Sequence, residues 1–191
     1  MPVNKKYEDI LKAARELFWK HGFRRISVEE ICVNAKVSKM TFYKFFPNKL
    51  ELARCVFDVE AYKGVLEFRS LINEDISPAE KIHRMLMMKQ KGTMEVSQEF
   101  IADFYNNPEL GLRDYIEETS KRLWTEMVED FRKGQMSGIF RDDVKPELIL
   151  YMSQKMMELI NDPNMLKLFS NPQELIMELS NFFMYGISSR N

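Results

Sequence analysis

The sequence predicts an all-α protein, with a small three-helix head followed by a larger helical body. Three observations carry that expectation. Apolar residues recur three and four positions apart along most of the chain, and no convincing alternation of period two interrupts them. Helix-start chemistry precedes the periodic stretches at Ser27 with Glu30, Asn48 with Glu51, Ser77-Pro78-Ala79-Glu80 and Asn171-Pro172-Gln173-Glu174. Charge is unevenly divided, although the formal net charge is only −1: residues 1–54 hold twelve Lys/Arg against six Asp/Glu, and residues 55–191 hold sixteen against twenty-three. A boundary is expected near Asn48, giving domains 1-50 and 51-191.

The first helix spans residues 4–21, with Ile10, Ala13, Ala14, Leu17 and Phe18 on one stripe, and Gly22 stops it. Ser27 caps a second helix too short to stand alone, with Ile31 and Cys32 facing inward. Asn34-Ala35-Lys36-Val37 breaks that helix and returns Val37 to the core. Ser38 caps a third helix whose Phe42 and Phe46 fall four apart on one face.

That arrangement leaves Lys39, Met40, Thr41, Tyr43 and Lys44 on the outside. A helix with a buried aromatic side and an outer face of ammonium, hydroxyl and short groups suits a major groove. A basic head on an acidic body is the matching electrostatic footprint. The run of residues 10–52 then resembles the DNA-binding domain of the TetR family of bacterial transcriptional regulators. The residues carrying the resemblance are His21-Gly22-Phe23, Ser27-Val28, Val37-Ser38, Thr41-Phe42-Tyr43 and Phe46-Pro47-Asn48-Lys49. One departure is clear. The turn usually carries Gly where this chain has Lys36, so a lysine is expected near the left-handed region at modest cost.

The body reads as further helices. One opens at Asn48 and runs to about residue 72. The next opens at Ser77 and runs to about Lys91, where Gly92 is expected to interrupt it. Residues 96–106 form a shorter apolar helix through Phe100, Ile101, Phe104 and Tyr105. Asn107-Pro108 restarts a long helix carrying Leu112, Tyr115, Ile116, Leu123, Met127, Val128 and Phe131, ended by Gly134 and Gly138. Pro146 to Ile160 and the helix after Pro172 are each more widely apolar than one core-facing stripe requires, with a short helical piece after Asp162-Pro163 between them. Leu148, Met152, Met156, Leu175, Leu179, Phe182 and Phe183 are therefore the candidate homodimer interface, which is also where the resemblance places it. Paired recognition helices and a two-fold operator go together in helix-turn-helix proteins.

Other classes find little support. No catalytic cluster, Gly-rich phosphate loop or metal-ligand spacing is visible, so no enzyme, cofactor or metal site is expected. Cys32 and Cys55 do not make a disulfide framework; Cys32 reads as packing, and Cys55 has no second thiol at suitable spacing. No 18-residue apolar run and no signal core appears, so no membrane segment is expected and the chain should remain in the cytoplasm. Lys5 and Lys6 read either as a solvated end or as a basic arm.

The resemblance implies more than the residues themselves do. It implies a ligand-responsive dimeric repressor of an inverted-repeat operator in double-stranded DNA. Tyr43 and Lys49 would then anchor phosphates, Lys39, Met40 and Thr41 would reach base edges, and Ser27, Ser38 and Lys44 would complete the DNA-binding set. It also implies a cavity among the helices from Ser77 to Phe131, where Met85, Met88, Phe104, Tyr105, Tyr115, Leu123, Trp124 and Met127 suit a small apolar or aromatic effector. No unpaired Arg or Lys is expected on the inward stripe, which argues against a strongly anionic ligand. The alternative is a DNA-binding protein of the same fold with no small-molecule effector, controlled by a protein partner or by abundance.

Overall fold

The structure, a computed structural model, describes residues 4–105, 111–160 and 162–189; the side chains of residues 104, 105, 150, 154 and 157 lie outside that description. The described residues are helical with no strand; an isolated bridge pairs Phe140 with Ser188. The helices are α1 (Lys5–His21), α2 (Val28–Asn34), α3 (Lys39–Phe45), α4 (Lys49–Ile72), α5 (Pro78–Met94), α6 (Gln98–Tyr105), α7 (Leu112–Glu126), α8 (Val128–Met136), α9 (Pro146–Ile160), α10 (Pro163–Leu166) and α11 (Pro172–Ile187).

Two compact units divide the chain, one of Met1–Ala61 with Glu95–Glu117, the other of Tyr62–Met94 with Glu118–Asn191. They interleave along the sequence instead of meeting near residue 50. The first unit recruits α6 because α1 cannot cover both its faces with α2 and α3. The Ser97 amide donates to the Trp19 carbonyl at 2.9 Å, and the Phe100 ring lies 4.5 Å from that of Trp19. Arg15 bridges Glu60 and Glu95. Gly22 stops α1 as expected, with φ 77°. It is also held against α6: a Cβ there would lie 2.7 Å from Asp103 Oδ2, which accepts from the Arg24 amide at 2.8 Å. The core of this unit is Ile10, Ala14, Phe18, Ile31, Phe42, Phe46 and Leu52, all at most 2% exposed.

The second unit centres on Val65, Leu71, Ile82, Met85, Leu86, Phe131, Phe140 and Ile149, with α5 packed on α11 and α9 on both α8 and α11. Three expectations change here. Gly92 lies inside α5, which continues to Met94; one glycine costs a helix about 1 kcal/mol and does not by itself end it. The long helix expected up to Gly134 is two, because at Met127 the amide is shared between the Leu123 and Trp124 carbonyls and the backbone relaxes to ψ −4°. Gly134 lies within α8, where a Cβ would come 2.5 Å from the Phe140 ring. The expected restart at Asn107-Pro108 falls outside the described residues.

Candidate nucleic-acid interface

The capping chemistry read from the sequence sets the recognition surface. Ser27 Oγ accepts from the Glu30 amide at 3.2 Å and Glu30 Oε2 accepts from the Ser27 amide at 2.7 Å, closing the capping box that starts α2. Ser38 Oγ accepts from the Thr41 amide at 3.1 Å and meets Thr41 Oγ1 at 3.0 Å. Between these helices Lys36 takes φ 53°, the left-handed conformation expected where a glycine is usual. The Val37 amide then donates to the Cys32 carbonyl at 3.0 Å, which closes the turn.

α3 is only seven residues long, and its own hydrogen bonds do not hold so short a helix. Phe42, fully buried, and Phe46 at its C-cap fix it to the core, where Tyr7 stacks on Phe46 at 5.2 Å. The opposite face is open: Met40 is 69% and Tyr43 54% exposed, with Lys39 and Lys44 beside them and Thr41 half-buried. Tyr43 sets its ring edge-on to Phe42 at 5.2 Å, which holds the phenol outward.

Two lysines are engaged within the protein. Lys39 forms an ion pair with Glu29 of α2, and that hydrogen bond is the leading cause lowering the Glu29 pKa and raising that of Lys39. Lys49 donates to the carbonyls of Phe23 and Ile26, each at 2.7 Å, and its ammonium lies 4.2 Å from the Phe23 ring centroid. Burial pushes its pKa down. Two of its three N–H donors therefore tie the loop between α1 and α2 to the start of α4. This clamp was missed from the sequence because its acceptors are backbone atoms. Ser27 and Ser38 are likewise engaged as caps, and Lys5 and Lys6 belong to the first turn of α1.

Both thiols lie outside this surface, and burial raises the pKa of Cys32 and of Cys55.

The candidates in the body separate. Met85 and Met127 are buried in the second unit's core, with Met88, Leu123 and Trp124 packed against it and Trp124 stacked on Phe131 at 5.9 Å. Tyr115 belongs to the first unit, where its hydroxyl donates to Asp58 at 2.6 Å beneath Arg54. The side chains of Phe104 and Tyr105 lie outside those described. Of the interface candidates, Leu148, Met152 and Phe182 are exposed, and Met156 and Leu179 are half-buried. Leu175 is fully enclosed within its own unit and Phe183 packs on that unit's core, so neither offers the expected open face.

Residues 10–56 match the family model described as "Bacterial regulatory proteins, tetR family". Over those residues the chain carries a TetR-type N-terminal segment. A *Lactococcus lactis* relative, the dhaKLM operon transcriptional activator DhaS, is 33% identical over 66 residues, 35% of this chain and 32% of that protein. The chain thus spans about a third of that relative's length. The *Bacillus subtilis* regulator YhgD is 27% identical over 77% of this chain and 78% of its own. Among solved structures, the fatty acid degradation regulator FadR of *Bacillus halodurans* is 23% identical with a TM-score of 0.66, covering 96% of this chain and 97% of that one. The *B. subtilis* FadR in complex with stearoyl-CoA is 20% identical with a TM-score of 0.58, covering 95% and 99%. The fold shared with these solved structures is an N-terminal helix-turn-helix followed by a helical body.

Proposed function

We propose that this regulator works as a homodimer that binds an inverted-repeat operator through α3 and represses until a small effector releases it. One observation carries the DNA-binding part. The outer face of α3 presents Met40, Tyr43 and Lys44 free of any role in the core, on a head whose first 54 residues have twice as many basic as acidic residues. Tyr43 and the remaining donor of Lys49 meet phosphates, and Lys39, Met40 and Thr41 address base edges. The chain acts by binding, with no catalysis of its own, in the cytoplasm where its operator lies. Pairing through α9 and α11 is supported by the exposed Leu148, Tyr151, Met152, Phe182 and Tyr185, a larger apolar display than scattered surface residues make.

Effector control is supported by the likeness to a FadR that binds stearoyl-CoA. The sign of control depends on where the operator lies, as the activator DhaS illustrates among relatives. A second reading, regulation without a small-molecule effector, is favoured by one observation: Met85, Leu123, Trp124 and Met127 fill one another's space in the core. Selection of bound sequences from random DNA tests the first part, with an inverted repeat expected; enrichment of a single half-site would remove two-fold reading. Adding a small-molecule extract of the source cells to the protein–operator complex separates the two regulatory readings, since only the first expects release.

A further inference from the structure

The open face of the helix-turn-helix carries an acid among its bases. Lys39, the first residue of α3, forms an ion pair with Glu29 in the first turn of α2. Both side chains stay more than half exposed, at 53% and 58%, and an ion pair so exposed contributes little to stability. Nor does α2 need Glu29 in order to start. Glu30 already closes the capping box, accepting from the Ser27 amide at 2.7 Å. The Glu29 carboxylate instead reaches across to the neighbouring helix, to a lysine that stands one turn from the exposed Tyr43. Set against a polyanion, an acid there lowers affinity, because it repels phosphates and cancels the charge of the lysine it holds. What it controls is where that lysine can go.

We infer that Glu29 is a positioning residue that sets sequence specificity: it keeps the Lys39 ammonium off the phosphates and aims it at the major-groove edge of a guanine. This role rests on the reading of DNA by α3 proposed above. A lysine carries three N–H donors on a flexible four-carbon stem. Left free, such a stem settles on a phosphate, and that contact carries no sequence information. With one N–H given to Glu29, two remain. Guanine is the base that offers two acceptors in the major groove, N7 and O6. Adenine puts an amino donor where guanine has O6, and a group that can only donate has no answer to it. Toward a random duplex the Glu29–Lys39 pair is neutral, and it gains only where a base supplies acceptors.

Fluorescence anisotropy of the full chain over a range of salt tests this role, on the duplex that selection from random DNA yields and on a shuffled duplex of equal length. The proteins are the parent, Glu29→Gln, Lys39→Met and the double variant. Glu29→Gln should bind the shuffled duplex at least about fivefold tighter near 0.1 M salt, with a salt slope steeper by about one per bound head, as the released ammonium finds a phosphate. Its affinity for the selected duplex should change by less than about twofold, and its preference for guanine over adenine at the Lys39 position should fall at least about fivefold. In the Lys39→Met background, Glu29→Gln should leave both the salt slope and the base preference unchanged. Equal tightening on both duplexes, or the same gain without Lys39, would make Glu29 a plain repelling charge and overturns the inference. A guanine preference that survives Glu29→Gln overturns it as well, and leaves base reading by α3 standing. A Lys39→Met variant that keeps the parent's preference removes the underlying reading by Lys39, and this role with it.

Discussion

The two units bury their aromatic side chains to different degrees. In the first, Phe18, Phe42 and Phe46 are at most 2% exposed, and α1, α2 and α3 start at side-chain caps on Asn4, Ser27 and Ser38. In the second, Phe131 and Phe140 are equally buried, but Phe182 is 77% and Tyr185 67% exposed on α11, and Tyr151 57% on α9. The first unit buries its phenylalanine anchors within its own chain, and its exposed Val33, Met40 and Tyr43 lie on α2 and α3. The second leaves enough outside to make a further surface part of its stability, and under the proposed dimer that surface is its own copy.

Substitutions in each unit test this difference. Phe42→Ala should cost about 3–5 kcal/mol through the cavity it leaves, unfold α3 and abolish operator binding; denaturant titration and a mobility-shift assay check both. Phe182→Asp should cost an isolated chain almost nothing, since the side chain is already exposed. In the proposed dimer it buries an unpaired charge, a penalty of about 3 kcal/mol, so sedimentation should fall from twice 22.7 kDa toward 22.7 kDa. A parent that sediments as a monomer at micromolar concentration would end the comparison.

Smaller effects sharpen the account of the head. Lys39→Ala should relax preference at one operator position by about tenfold, measured by competition between operator variants. Lys49→Met should lower stability by about 1–2 kcal/mol, because the Phe23 and Ile26 carbonyls lose their donor, and should also reduce the salt slope by about one. An unchanged melting temperature would show that the clamp contributes nothing. Lys36→Gly should stabilise by about 0.5–1 kcal/mol, since glycine adopts φ 53° without the Cβ penalty that lysine bears.

Much of the head was legible in the sequence because its determinants are local. Ser27, Ser38 and Asn48 announce helix starts within three residues, and Phe42 with Phe46 fixes the inward face of α3. What escaped depends on distant or backbone partners. Asp103 accepts from the amide of Arg24, seventy-nine residues earlier, and no local pattern predicts that α6 joins the head. The Lys49 clamp ends on two carbonyls. Met127 carries no breaker chemistry, so the division between α7 and α8 left no trace in residue type.

The shortness of α3 also bears on how such a regulator changes over generations. Its shape is held by Ser38, Phe42 and Phe46, while Met40, Tyr43 and Lys44 have no part in the core. Under the proposed reading of DNA by α3, mutation can therefore redraw the sequence this head prefers while its fold stays intact. Lineages are free to acquire new target genes by drift at a few exposed positions, and the aromatic anchors beneath them stay under constraint.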